Sequence, residues 1–371
     1  MKHKQSVWIT GLFCLFLGAM ALLTLLLPPK KFSELENRNL EPAPKLSAQS
    51  VSSGRFMKDA ENWGSDHVVL RDRWVQLKAL AERLSGKLEN NGVCFAGEDT
   101  LLRLVEEPDE TQVEKNISAV RGLIDKTDIP VRFGLIPTAA SIWADRLPAG
   151  IPTLDETAWI DRLYREFGGS TLDLQGTLDA HKAEPIFYRT DHHWTTLGAR
   201  YAADVILEAL ELDPLREEEL QPRTVSEDFY GTVYSRAGAW WVKPDEMTTM
   251  VPEEGIEVTS NFTGKEEPGS LYVPAHLAEK NKYAFFLGGN QPVCVIRTQA
   301  KGPKLLLIRD SYSDSLVPFL ALRCAEIHLL DLRYYRLSVP EYIEDHDIDQ
   351  AVVLYGLSMF LEDRNLYLLR R

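Results

Sequence analysis

Basic charge is in short supply in this sequence. Its 371 residues carry 41 Lys+Arg against 55 Asp+Glu, a formal net charge of −14. Nothing basic and extended is available to neutralise phosphates, which argues against a general nucleic-acid binder. Cysteine is scarce as well, with four in all, and Cys14 falls inside an apolar run. Cys94, Cys294 and Cys324 are left, an odd set that allows at most one internal disulfide, and their spacings match no zinc site. Buried or free thiols are the expectation. No internal repeat is visible, no His-x-x-x-His pair occurs, and no second long apolar run follows the first.

That first run is the clearest feature of the N-terminus. Lys2, His3 and Lys4 precede an uncharged stretch from Ser6 to Leu27, which ends at Pro28-Pro29-Lys30-Lys31. At ~1.5 Å rise per residue it spans roughly 30 Å, the thickness of a bilayer core. A cleaved signal peptide has a shorter apolar region followed by a small-x-small site. Leu25-Leu26-Leu27-Pro28 offers no such site. An uncleaved single-pass anchor is therefore expected ahead of a cleaved signal, with the rest of the chain exported in either case. Positive charge flanks both ends, so the positive-inside rule does not fix orientation. The expected location is the cell membrane, with the main domain extracellular or periplasmic.

The chain divides by composition into an anchor or signal (1–30), a tether rich in Pro, Ser and charge (31–54), and a domain (55–371). Hydrophobic residues make up 44%, enough for a sizeable core. Helical spacing of Trp63, Val69, Leu70, Trp74, Leu77, Leu80 and Leu84 marks the stretch from Arg55 to about Lys87. Val93-Cys94-Phe95 reads as a short strand after the Asn90-Asn91-Gly92 turn. A helix from Thr111 to Asp125, a strand from Val131 to Pro137, a helix from Trp159 to Phe167 and a strand at 171–174 follow. The pattern continues with a helix from Thr195 to Leu210, then breaks at about 220–280, where Gly, Pro, Trp and acidic residues cluster. That stretch reads as an insertion of loops and short strands. Strands resume at 304–308, 326–330 and 350–354, with a helix from Ser313 to Arg323 between the first two. Strands separated by helices predict a mainly parallel sheet covered on both faces.

Two places bear chemistry. In Thr190-Asp191-His192-His193-Trp194-Thr195, Asp and His two positions apart lie on a loop entering a helix. A carboxylate that accepts an imidazole Nδ1–H fixes its tautomer and stabilises the imidazolium. The competing reading is a helix N-cap with surface histidines, since Asp and Thr are good caps. Far downstream, Ser311 follows the apolar strand Leu305–Ile308 and precedes a helix. Ligands of open α/β sheets collect at the carboxyl ends of strands, and nearby backbone N–H groups can stabilise an oxyanion. Serine needs a base, and His193 is the candidate. Capping by Asp310, Ser311 or Ser313 is again the alternative. Together the two places supply nucleophile, base and orienter.

At these residues the sequence resembles a known family. Asp191-His192-His193-Trp194 is the signature of the bacterial DHHW proteins, which are related to the SGNH-hydrolase-like proteins of alginate O-acetylation. The likeness extends to Phe32-Ser33-Glu34-Leu35-Glu36-Asn37-Arg38, to Trp63–Trp74, to Phe229-Tyr230-Gly231-Thr232 and to Phe286-Leu287-Gly288-Gly289-Asn290. It implies an SGNH-like three-layer α/β/α sandwich in which Asp191 and His193 act with Ser311. His192 falls on the variable middle position and is taken as a supporting residue beside Tyr312. Asn290 is a candidate oxyanion or substrate contact. Arg309 stands where such nucleophile loops usually carry glycine, and is expected to alter or weaken catalysis.

The resemblance implies an O-acetyltransferase or acetylesterase acting on a cell-envelope or exported polysaccharide, with an acyl donor and a polysaccharide as partners. The alternative is a non-catalytic carbohydrate-binding or assembly protein of the envelope, contacting other assembly proteins. No cofactor and no metal are expected, although Asp66-His67 with Asp191, His192 and His193 would suit a metal. Trp240, Trp241 and Tyr234 are candidate sugar-stacking rings, against the commoner reading of aromatics as core. Asn116 and Asn261 lie in glycosylation sequons of the kind that arise by chance. The acidic runs Glu217–Glu219 and Glu253-Glu254 read as solvated surface.

Overall fold

The computed structural model describes residues 2–33 and 38–370. Part of the Phe32–Arg38 segment noted above lies outside the described residues. By compactness the chain divides into two units, Met1–Asn90 with Ser235–Trp241, and Asn91–Tyr234 with Val242–Arg371.

The first unit opens with one long apolar helix, Lys2–Leu26. Its uncharged part, Ser6–Leu26, has 21 residues and none of it is buried by protein. A short helix, Ala48–Ser52, forms within the expected tether because Ser47 and Ser50 make a reciprocal capping box. The helical stretch expected from Arg55 to about Lys87 is two helices, Arg55–His67 and Arg71–Leu84. Leu70, with φ 60, turns the chain between them in the left-handed region.

The second unit is built on an eight-stranded sheet. In chain order its strands are β1 (Val131–Ile136), β2 (Thr171–Leu172), β3 (Glu257–Ser260), β4 (Glu267–Gly269), β5 (Val293–Arg297), β6 (Lys304–Arg309), β7 (Glu326–Leu330) and β8 (Gln350–Gly356). Their spatial order is β4-β3-β5-β7-β6-β8-β1-β2. The five strands from β7 to β2 run parallel, and β5, β3 and β4 extend the edge antiparallel. Two pieces of the expected insertion, β3 and β4, therefore belong to the sheet. The rest includes a bulged hairpin, Arg223–Phe229 with Asp245–Thr249.

The apolar runs of the parallel strands follow from burial on both faces. Leu305 and Leu307 of β6 and Val352 and Leu354 of β8 enter one core with Ala199, Ala202, Ala203 and Ile206 of the helix Thr196–Ala209. Leu306, Ile308, Val353 and Tyr355 point the other way, into a second core with Val113, Ile117, Val120 and Leu123 of the helix Glu110–Lys126. The result is a three-layer α/β/α arrangement. Asn116 of the first sequon is buried in that second layer and donates to the Phe360 and Asp363 carbonyls at 2.7 and 2.9 Å. Cys94, Cys294 and Cys324 are all buried.

One helix differs from expectation at the site itself. A helix from Ser313 to Arg323 would carry Pro318 in its interior, where Pro removes a hydrogen bond and clashes with the preceding turn. The chain instead makes a 3₁₀ turn, Ser311–Asp314, and starts a fresh helix, Val317–Leu320, with the Pro in its first turn.

Candidate active site

Ser311 sits where β6 runs out, beside the end of β8. Asp310, in extended conformation, caps the 3₁₀ turn: its Oδ1 accepts from Tyr312 N–H at 3.1 Å, and its Oδ2 accepts from Gly356 N–H at 2.7 Å. One carboxylate thus ties the end of β6 to the end of β8. Gly356 suits this junction, because a Cβ there would stand 2.8 Å from the Tyr312 ring. Ser311 is left partly buried at the carboxyl edge of the sheet.

The Asp–His loop is pinned by the 223–249 hairpin. Asp245, buried on that hairpin, accepts from Arg189 N–H at 3.1 Å and from Thr190 N–H and Oγ1 at 2.8 and 2.6 Å. Thr195 then caps the helix Thr196–Ala209. Between these two fixed points Asp191 and His193 turn inward, and both are buried.

Their geometry is a relay. His193 Nδ1 lies 2.5 Å from Asp191 Oδ1, and His193 Nε2 lies 2.8 Å from Ser311 Oγ. With Nδ1–H donated to the carboxylate, the Nε2 lone pair faces the serine hydroxyl. Asp191 Oδ1 also accepts from His193 N–H at 3.1 Å, and its Oδ2 accepts from Thr232 N–H and Oγ1 at 2.7 and 2.9 Å. Burial alone would raise this carboxyl. The neighbouring imidazoles and these hydrogen bonds outweigh burial and hold it far below the usual carboxylate range.

Tyr283 stacks on the His193 ring, with centroids 3.8 Å apart and planes 7° from parallel, and its hydroxyl pairs with Ser315 at 3.0 Å. Trp194 donates through Nε1 to the Tyr312 carbonyl at 2.9 Å and to Ser315 Oγ at 3.1 Å. His192 packs against His193 and pairs with Thr232 Oγ1 at 2.7 Å. Burial and the adjacent His193 pull His192 down to about 3, so its ring is neutral. Tyr312 is buried and its hydroxyl donates to the His192 carbonyl.

The remaining expected residues lie outside this cluster. The Arg309 side chain is fully buried and pairs with Asp314 at 2.8 Å, with Asn290 Oδ1 at 3.4 Å from the same nitrogen. It occupies the interior beneath the Ser311–Asp314 turn. Asn290 is exposed beyond the turn Leu287–Gly289, whose three residues all have positive φ. Ligating atoms of Asp191, His192 and His193 fall within 4.8 Å of one another, which suits a cation, but Asp191 and His193 spend theirs on each other and on Thr232 and Ser311. Asp66, in the first unit, accepts from Glu41 N–H at 2.9 Å. Trp240 is exposed, and Arg83 lies over the Trp241 ring at 5.5 Å. Tyr234 leans on Tyr230 with centroids 4.4 Å apart.

Sequence reasoning missed Asp245, Tyr283, Asp314 and Ser315, whereas capping by Asp310 is the alternative reading of its segment and is found beside the Ser311 contact. Gly231-Thr232 entered only as part of the family likeness, and the structure supplies its physical reason. A Cβ on Gly231 would stand 2.2 Å from both Cβ and Oδ2 of Asp191, so only glycine lets the Thr232 amide reach the carboxylate.

Residues 94–251 match the family model described as ALGX, SGNH hydrolase-like domain, acetyltransferase AlgX. No curated protein matches the chain. Among solved structures, a DHHW family protein from Eubacterium siraeum is 25% identical, with a TM-score of 0.65, over 76% of this chain and 96% of that one. Bacillus cereus PatB1, solved with a sulfonyl adduct, is 17% identical with a TM-score of 0.63, over 75% of this chain and 98% of that one. The chain therefore contains an SGNH hydrolase-like domain with a mixed, mainly parallel central sheet, preceded by one N-terminal apolar helix.

Proposed function

We propose that this SGNH hydrolase-like domain is an extracytoplasmic O-acetyltransferase or acetylesterase that uses Ser311, His193 and Asp191, with a cell-envelope or exported polysaccharide as its substrate. The observation that carries the reading is the position of the His193 ring, 2.5 Å from Asp191 at one nitrogen and 2.8 Å from Ser311 at the other. The match of residues 94–251 to an acetyltransferase family model supports acyl transfer as the chemistry.

In this reading Ser311 Oγ attacks the carbonyl of an acyl donor as its proton passes to His193 Nε2. Asp191 stabilises the imidazolium that forms. The tetrahedral intermediate collapses when the donor's oxygen leaves with that proton, and an acyl-serine remains. A sugar hydroxyl or water then attacks the acyl carbon, giving its proton to His193, and the second tetrahedral intermediate collapses as His193 returns that proton to the departing Ser311 Oγ. The Tyr312 and Ser313 amides are already bound to Asp310, at 3.1 Å to its Oδ1 and 3.3 Å to its carbonyl. The N–H of Ser311 itself is the donor that this reading assigns to the oxyanion. The helix Lys2–Leu26 would hold the domain at the membrane as a single-pass anchor.

The test compares acyl-ester hydrolysis and fluorophosphonate labelling in the wild type, Ser311→Ala and His193→Ala. Both variants should lose labelling and almost all turnover. Equal rates in all three proteins would sink the mechanism, and saccharide binding without labelling would favour a binding module.

A further inference from the structure

The helix Arg71–Leu84 has two faces of opposite character. On one, Ala79 is fully buried, and a Cβ built on Gly238 would meet Ala79 and Val75 at 3.5 and 3.6 Å, so the Gly238 segment packs there. On the other, Leu70, Trp74, Leu77, Ala81 and Leu84 recur at alternating spacings of four and three, which places them in a single stripe. That stripe is open: Leu70 is 63% exposed, Trp74 40%, Leu77 53% and Leu84 78%. Arg71, Arg73 and Lys78 border it. Long cationic side chains beside an apolar stripe are the pattern of a helix lying in a membrane interface.

The position of the helix says what covers the stripe. Val69 N–H donates to Thr24 Oγ1 at 3.1 Å, and the Trp74 ring meets the Phe16 ring edge-on at 6.4 Å. Thr24 and Phe16 both belong to the apolar span Ser6–Leu26. They are eight residues apart, ~12 Å along the helix at ~1.5 Å per residue. Trp74 thus reaches back along the span toward acyl-chain depth, and the stripe continues the apolar surface of the anchor. Charge agrees: residues 28–88 hold eleven Lys+Arg against eight Asp+Glu, in a chain whose net charge is −14.

We propose that Val68–Leu84 makes a second contact with the bilayer, resting on the reading of Ser6–Leu26 as a membrane span. Leu70, Trp74, Leu77 and Leu84 enter the acyl layer, while Arg73 and Lys78 stay at the phosphates. The anchor alone would let the chain beyond it swivel, whereas a helix laid on the surface restricts residues 55–84 to a fixed attitude.

The test uses the full chain in vesicles of phosphatidylcholine and phosphatidylglycerol, some containing lipids with a quenching nitroxide on the acyl chain. An environment-sensitive fluorophore is placed on Leu77→Cys, Leu84→Cys or Gln76→Cys, each in a Cys14→Ser background, and on native Cys14, which is exposed on the apolar helix. The other three cysteines are buried and escape labelling. Quenching at positions 77 and 84 should exceed that at 76 several-fold. If Cys14 is quenched while 77 and 84 resemble 76, the anchor stands and this proposal fails. Blue-shifted but unquenched emission at 77 and 84 would assign the stripe to a contact with a second copy, and also overturns it. Quenching at 77 and 84 without quenching at Cys14 would uphold the surface helix and remove the transmembrane reading.

Discussion

The placement of Asp191 makes a sharp prediction about a residue with no side chain. Gly231→Ala introduces a Cβ 2.2 Å from Asp191 Cβ and from Asp191 Oδ2. Non-bonded carbons sit at about 3.5–4.0 Å, so the carboxylate or the 231–232 backbone must move by more than ~1 Å. Gly231 is not among the positive-φ residues, so the effect is steric and not one of backbone conformation. Asp191 accepts four hydrogen bonds, two from His193 and two from Thr232, and displacement strains all of them. A displacement of about 1 Å costs roughly 10²-fold in rate, and complete loss of the orienting carboxylate roughly 10⁴-fold in the serine-protease template. The expected fall in kcat/KM therefore lies between those limits, carried by kcat with KM little changed. Thr232→Val is the milder partner. It keeps the amide bond at 2.7 Å and removes the hydroxyl's bonds to Asp191 at 2.9 Å and to His192 at 2.7 Å, for a loss of about tenfold. The assay is hydrolysis of a chromogenic acetate ester, with the rate of fluorophosphonate labelling as a second readout and circular dichroism to verify folding. A folded Gly231→Ala protein within about threefold of the wild type would refute the argument.

Three further outcomes follow from the same geometry. Trp194→Phe leaves the buried Tyr312 carbonyl and Ser315 hydroxyl without the indole N–H, which should cost about 1–3 kcal/mol in chemical denaturation; an unchanged midpoint would contradict that. Tyr283→Leu removes the ring stacked on His193 and with it about 1 kcal/mol of cation–π support of the imidazolium, so kcat/KM should fall several-fold, while Tyr283→Phe should retain it; equal rates for both would remove Tyr283 from the reaction. Burial, against the pull of Arg309 at 2.8 Å, pushes Asp314 up to about 6. The folded protein thus holds that proton more tightly than the unfolded chain, so this group favours folding most below pH ~4 and its contribution falls as pH rises to ~6, by about 3 kcal/mol in total. Asp314→Asn should be less stable, having lost the partner of Arg309, yet flatter between those pH values; an unchanged slope in denaturation midpoint would be inconsistent with the assignment.

How far the sequence disclosed this site depends on how local each signal is. The strands β1, β6 and β8 are legible because burial on both faces demands an unbroken apolar run, and Leu305–Ile308 shows the residues dividing between two cores. Ser311 is legible because it follows such a run. The helix expected after it is not formed, since the apolar spacing over 313–323 conceals the break that Pro318 imposes. The residues that hold the site in place are contributed from far away. Asp245 follows Asp191 by 54 positions and holds the loop through Thr190, and Tyr283 arrives on a separate 3₁₀ turn. No spacing rule joins such residues, because they meet only once the hairpin and the sheet edge have folded. Arg309 is the opposite case. Its identity is plain in the sequence and its direction is not: a charge after four apolar strand residues reads as the start of a loop, whereas Asp314 five residues on gives it a buried partner.

The four-residue Asp–His–His–Trp motif divides its work between its side chains, and that division accounts for its compactness. Asp191 fixes the His193 tautomer, and His193 reaches Ser311. His192 offers its backbone carbonyl to the Tyr312 hydroxyl, while Trp194 reaches across to the Tyr312 carbonyl and to Ser315. Four of these contacts join the motif to the segment 118 to 121 residues further on, one at Ser311, two at Tyr312 and one at Ser315. A single 2.8 Å contact between two flexible loops would be lost to thermal motion much of the time. Here it is one of several bonds across a buried junction, with Tyr283 covering one face of the imidazole and anchored to the same Ser315. Pre-organisation of that kind is what the proposed acyl transfer would require of Ser311, since a serine hydroxyl is a weak nucleophile unless its base is already in place.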